Sequence, residues 1–172
     1  RGKYPLMVWP YHAMLGGIGH ALVSAVEEAL FFHAVARKTQ PRFEIKGYDP
    51  LTEHYSVLSP EVREGPDGEP LAEWDTARIQ HWLSFDLVII AGQAKSHCVL
   101  STLRDIQEHV QKTDPQLADK VYILEDAMSP VPPPPIDPLP PSLDFPRIAE
   151  EAIVEFKKAG MHVVKTTDPI LF

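Results

Sequence analysis

In the second half of this chain, short apolar runs alternate with longer segments whose apolar residues recur every third or fourth position, and few folds satisfy both periods at once. Residues 87–90 form a continuous apolar run closed by Ala91 and Gly92, and residues 121–124 and 161–164 repeat that character. Between these runs, Val99, Leu103, Ile106 and Val110 mark one helical face, and Ile148, Ala152, Ile153 and Phe156 mark another. Asp144 ahead of Pro146 reads as the start of the second helix and Gly160 as its stop. Strands separated by helical stretches of roughly 10 to 15 residues imply right-handed crossovers and a parallel sheet covered by helices. The expected class is α/β, a three-layer αβα sandwich around a mainly parallel sheet.

The first half carries weaker signals. Over residues 18–37, Leu22, Ala25, Val26, Ala29 and Leu30 fall at helical spacing with Glu27, Glu28 and Arg37 on the polar side, so an amphipathic helix is expected. Residues 43–46, between Pro41 and Gly47, read as a short strand.

A length of 172 residues allows one domain, so residues 1–172 are read as one unit. One segment breaks its rhythm. Half of the 18 prolines lie between Pro130 and Pro146, which rules out helix or central strand there. Residues 129–146 are expected to be a stiff proline-rich surface loop, with a docking segment for an aromatic-lined groove as the sharper alternative.

Composition narrows the partners. Apolar residues make up 44% and charged residues 23%, an ordinary globular balance. Lysine and arginine number 16 against 24 acidic residues, a net charge of -8, and no basic cluster interrupts the chain. Nucleic acid and anionic membrane are therefore poor partners. The apolar runs fall short of the roughly 18 residues a membrane span needs. A lone cysteine cannot build an internal disulfide framework, and a reducing, cytoplasmic setting is expected.

In open α/β sheets, ligands bind beyond the carboxyl ends of the strands. Cys98 falls there, near the first turn of the helix after residues 87–90, where unpaired N–H groups and the helix dipole favour a thiolate. Lys46, at the end of the short strand expected over residues 43–46, would favour it further if the fold brought its ammonium alongside. Asp126, just past the next strand, is expected to be structural.

These residues sit in recognisable company. The stretch from Gly92 through Gln93, Ala94, Lys95, Ser96, His97, Cys98 and Val99 to Thr102 resembles the nucleophile segment of the nicotinamidase and isochorismatase-like cysteine hydrolases, roughly G-x-A-x-x-x-C-V-x-x-T. Trp9-Pro10-Tyr11-His12, continued by Gly16-Gly17-Ile18-Gly19, resembles the family's W-P-x-H-C-x-x-G-T-x-G motif, and Ile45-Lys46-Gly47 falls at its lysine. The three occur in the family's order and approximate spacing.

By that resemblance Cys98 would be the nucleophile that attacks an amide-type carbonyl through a covalent intermediate, and Lys46 the triad lysine. The N–H groups of Ala94 and Cys98 would form the oxyanion hole, beside a cis peptide between Gln93 and Ala94. Trp9 would line the substrate pocket, with His97 and Tyr55 near it, and His12 would be one ligand of a divalent metal (zinc, iron or manganese). The implied partner is a small amide, nicotinamide-like or a carbamoyl or ureido compound, and a homo-oligomer is expected. The family's triad aspartate and D-x-H metal pair lie upstream of W-P-x-H, and no residue of this sequence fills those positions. Ala13 stands where nicotinamidases usually carry cysteine. The family's sheet order, 3-2-1-4-5-6, puts its first strand in the middle. The expectation is thus the carboxyl-terminal part of such a domain, its first strands supplied by a longer chain or by a partner segment. Alternatives are a non-catalytic member used for binding or assembly, and a redox-sensing thiol at Cys98.

Overall fold

The computed structural model describes residue 4 and residues 7–170. Its backbone divides between Ile45 and Lys46 into two compact units.

The second unit is α/β. Helix α2 (Thr76–Leu83) precedes strand β1 (Val88–Ile90), followed by α3 (Cys98–Thr113), β2 (Val121–Leu124), α4 (Phe145–Lys158) and β3 (His162–Val164). The strands form one parallel sheet in the order β1-β2-β3, with Ile90 opposite Ile123 and Ile123 opposite Val163. The register puts Val88, Ile90, Val121, Ile123 and Val163 on one face. That face meets the stripes of the helices: Ile79 and Leu83 of α2, Leu100, Leu103, Ile106 and Val110 of α3, and Ala152, Ile153 and Phe156 of α4. The stripes expected for α3 and α4 are thus the buried ones, Ile148 being partly buried. Within this unit the helices gather over one face of the sheet. On the other, Ile89 is 49% exposed and Tyr122 stacks on His162.

Local chemistry sets the helix ends. The Asp144 carboxylate accepts the N–H of Arg147 at the start of α4, with Pro146 in the first turn where a missing N–H costs nothing. Gly160 stops the helix at φ 97°, a left-handed conformation that suits glycine, as the N–H of Gly160 reaches Lys157 O and that of Met161 reaches Phe156 O. Helix α2 was not foreseen from the sequence. Its signals are Asp75, whose carboxylate accepts the Arg78 N–H at 2.9 Å, and the four-residue spacing of Ile79 and Leu83. That N–H is the main reason the Asp75 carboxyl sits below its ordinary range, the Arg78 guanidinium adding to it.

The first unit departs further from expectation. The helix expected over residues 18–37 is shorter: Ile18–His20 is a single 3-10 turn, and α1 spans Ser24–Arg37. Gly19 costs about 1 kcal/mol in a helix interior, and Val23 holds an extended φ, ψ at the boundary. Residues 43–46 are not a strand. A strand exists only through its ladder, and these residues have no strand partner among the described residues. The segment over residues 129–146 is irregular apart from a 3-10 turn at Pro141–Leu143 and the first residues of α4. No described helix is long and apolar enough to cross a membrane.

Candidate active site

The site is built where β1 ends. Gly92, at φ 123°, turns the chain out of the strand in a conformation closed to most side chains. The loop is then pinned by backbone bonds, from Gly92 N–H to Ala127 O (3.3 Å) and from Lys95 N–H to Ser129 O (2.9 Å). The peptide between Gln93 and Ala94 is cis, as the resemblance implies. Ala94 O accepts the N–H groups of His97 (3.0 Å) and Val99 (3.1 Å), which closes the turn and makes Cys98 the first residue of α3. The thiol therefore stands at a helix N-terminus, half-buried and outside any disulfide.

Lys46 reaches this thiol from 52 positions earlier in the chain. Its Nζ donates to Cys98 Sγ at 3.2 Å, to His54 O at 2.7 Å and to Tyr55 O. An ammonium has three N–H bonds, and here each meets an acceptor: two fixed carbonyls and one sulfur. The carbonyls hold the amine in place, and the third proton points at the nucleophile. Nearby, the N–H groups of Ala94 and Cys98 have no hydrogen-bond acceptor among the described residues.

Behind the pair lies an aromatic wall. Tyr55 is buried, and its ring meets the His97 ring edge-on at 5.0 Å, while Phe145 meets the same ring from another direction at 4.7 Å. His97 is only 3% exposed, and this burial pushes its pKa down to about 4, so the ring is neutral at physiological pH. Its Nδ1 lies 2.8 Å from Ser96 Oγ, which also accepts the Val131 N–H at 2.9 Å. Lys95 is buried too, its Nζ 2.6 Å from Glu150 Oε1 on α4.

The structure thus brings Cys98, Lys46, Ala94, Tyr55 and His97 into one neighbourhood of the second unit. Trp9 and His12 belong to the first unit, where their rings lie 6.4 Å apart and His12 Nδ1 lies 2.7 Å from Pro10 O. As a metal site the described residues do not suffice: no three His, Cys, Asp or Glu side chains converge among them. The two oxygens of Asp126 take the Thr166 N–H (2.8 Å) and hydroxyl (2.7 Å), and the hydroxyl bond is the leading reason its carboxyl sits below the ordinary range.

Sequence reasoning missed the roles of Ser96, Phe145 and the His54 carbonyl. A backbone carbonyl leaves no residue-type signal, because any side chain could have stood at position 54. Phe145 could have been flagged, lying beside the Asp144 cap at the head of an apolar stripe.

Against solved structures, the chain resembles the yeast nicotinamidase bound to the inhibitor nicotinaldehyde, with a TM-score of 0.53 at 18% identity over 92% of this chain. The fold is that of a nicotinamidase. The chain spans 58% of the yeast enzyme's length. The pyrazinamidase of Pyrococcus horikoshii, in complex with zinc, aligns over 92% of this chain and 63% of its own, at 20% identity and a TM-score of 0.48. No family model matches the chain, and no curated protein matches it. Within the nicotinamidase fold, the described sheet supplies three parallel strands, and β1 is paired on one edge only among the described residues.

Proposed function

We propose that this chain carries the nucleophile and lysine of a cysteine amidohydrolase of the nicotinamidase-like family. The observation that supports it most is the Lys46 ammonium, held by two backbone carbonyls, 3.2 Å from Cys98 Sγ at the start of α3.

The chemistry follows from those atoms. The thiolate, beside the Lys46 ammonium and at the helix N-terminus, attacks the carbonyl carbon of a small amide. The carbon–sulfur bond forms as the carbonyl π pair moves to oxygen. The N–H groups of Ala94 and Cys98 are the candidate donors for that oxyanion. The carbon–nitrogen bond then breaks, the departing nitrogen takes a proton from Lys46, and ammonia or an amine leaves a thioester on Cys98. Water attacks the thioester, and its proton returns to the Lys46 amine as the acid is released. The aromatic wall of Tyr55, His97 and Phe145 packs the loop behind the nucleophile, which favours a role in positioning it. The substrate is proposed to be nicotinamide-like or a carbamoyl or ureido compound, in keeping with the yeast neighbour, which is by name a nicotinamidase. No step is assigned to a metal, because the described residues do not assemble a ligand set.

The test is ammonia release from nicotinamide and from a carbamoyl substrate, with acyl-enzyme trapping followed by mass spectrometry. Cys98→Ala should abolish both turnover and the adduct, and Lys46→Met should slow turnover about a hundredfold or more. Alkylation of Cys98 by iodoacetamide should slow in Lys46→Met as well. Turnover that survives Cys98→Ala would sink the mechanism, and a thiol whose alkylation ignores Lys46 would remove the pairing on which it rests.

A further inference from the structure

We infer that Asp105 is a positioning residue for the Lys46 amine: it clamps the loop whose carbonyls aim that amine onto the helix that carries Cys98. That role presupposes the hydrolase reading, and the geometry along α3 supports it.

Cys98, Thr102 and Asp105 fall at i, i+4 and i+7 of α3 and so share one face of the helix. Each meets the same stretch of chain. At the first turn Cys98 Sγ takes a proton of the Lys46 ammonium, which is itself held by the carbonyls of His54 and Tyr55. One turn on, Thr102 Oγ1 accepts the Val57 N–H at 3.4 Å. Beyond it, the Ser59 hydroxyl donates to Asp105 Oδ2 at 2.6 Å and the Arg63 guanidinium donates to Oδ1 at 3.0 Å. Loop and helix thus run side by side, in register, from the nucleophile to Asp105.

The Thr102 bond is long, so the weight falls on Asp105, which is 7% exposed with both oxygens taken. Its partners are fixed in turn. The Arg63 guanidinium also donates to Ser59 Oγ at 3.2 Å and lies over the Trp74 ring, 4.6 Å from its centroid. The loop is closed on itself, with Glu61 N–H on Glu53 O at 2.7 Å and Val62 N–H on Thr52 Oγ1 at 3.0 Å. Pinning such a loop at Ser59 therefore pins the carbonyls of His54 and Tyr55. Among the described residues Lys46 makes no backbone hydrogen bond, so its amine takes its place from those carbonyls. The separation of amine and sulfur is set by where the loop sits on α3. A buried carboxyl–guanidinium pair adds little net stability over apolar packing of the same shape; what it supplies here is a single register.

The experiment is a double-mutant cycle on the full chain, read as the rate of iodoacetamide alkylation of Cys98 at one fixed pH. Asp105→Asn keeps the shape of the side chain and turns an amide toward Arg63, and Ser59→Ala removes the other half of the clamp. Each should slow alkylation about tenfold when Lys46 is present, and neither should change it by more than about twofold in a Lys46→Met background. A merely structural role would slow both backgrounds alike, and that outcome overturns the assignment. So does alkylation that ignores both substitutions, or loss of cooperative melting in both variants, which would make the pair a determinant of stability. In turnover of nicotinamide, kcat should fall about tenfold in Asp105→Asn with KM little changed, since Asp105 acts through Lys46. The alkylation assay uses no substrate, which separates the two failures: turnover that survives Cys98→Ala sinks the hydrolase reading, whereas additive alkylation losses sink the positioning role alone.

Discussion

Helices α1 and α4 are of equal length, yet they meet opposite fates. In α4, Phe145, Ala149, Ala152, Ile153 and Phe156 are buried; in α1, none of the 14 residues is, and Phe31, Phe32 and Val35 stand at 62%, 59% and 60% exposure. The difference begins in the pattern. The apolar residues of α4 keep to one stripe, with Arg147, Glu151 and Lys158 outside it, whereas in α1 apolar residues run most of the way round. It continues at the ends, since Asp144 caps α4 with its side chain and Val23 offers α1 no cap. A helix is stabilised chiefly by what its stripe lies against, and among the described residues only the second unit provides a matching sheet face.

The sharpest way to break that contrast is to truncate one aromatic in each helix. Phe156→Ala should destabilise the second unit by about 3–5 kcal/mol through lost burial and the void left behind. Phe31→Ala should change stability by no more than about 0.5 kcal/mol, with a slight gain because alanine is the better helix former. Urea melts with hydrogen exchange read peptide by peptide would separate the units, and equal losses would refute the contrast.

A pH titration probes the second unit alone. The unfolded His97 takes up a proton near pH 6.5, but the folded ring resists it until about pH 4. Between those values the unfolded state binds more protons, so stability falls as the pH drops from 6.5 to 4, by roughly 2–3 kcal/mol. His97→Phe keeps an aromatic ring between Tyr55 and Phe145 and should flatten that slope. A slope unchanged in the variant would assign the acid sensitivity elsewhere.

Smaller effects sharpen the comparison at the helix ends. Asp144→Ala should cost about 1 kcal/mol by removing the acceptor for Arg147 N–H, and Val23→Ser should stabilise α1 by about 0.5–1 kcal/mol, visible as slower exchange in its first turn. Glu151→Ala, which deletes the 2.6 Å pair with Arg147 on the exposed side of α4, should cost only about 0.3–0.5 kcal/mol.

Legibility followed the same divide. Residues 121–124 matched β2 end to end, and the stripes read from residues 99–110 and 148–156 mark the core faces of α3 and α4, because burial imposes periods of two and 3.6 on a sequence. Residues 43–46 have the residue types of a strand but no ladder, and a ladder depends on a neighbour that no local signal reports. Helix α2 was overlooked because eight residues offer barely two turns of periodicity, and its capping aspartate lies in a loop rich in other acids.

The sequence by itself determined that the second half alternates strand and helix, that a cysteine stands at a helix N-terminus past a strand end, and that a proline-rich stretch interrupts the pattern. Each of these is written in neighbouring residues, where sterics and hydrogen bonding act over a turn or two. Only the tertiary structure decided that the Lys46 amine meets the Cys98 sulfur, because 52 positions separate them and the two carbonyls that aim the amine carry no residue signature. Tertiary structure also decided that His97 is buried and neutral, since a ring's charge is set by the rings packed around it and not by its neighbours in sequence.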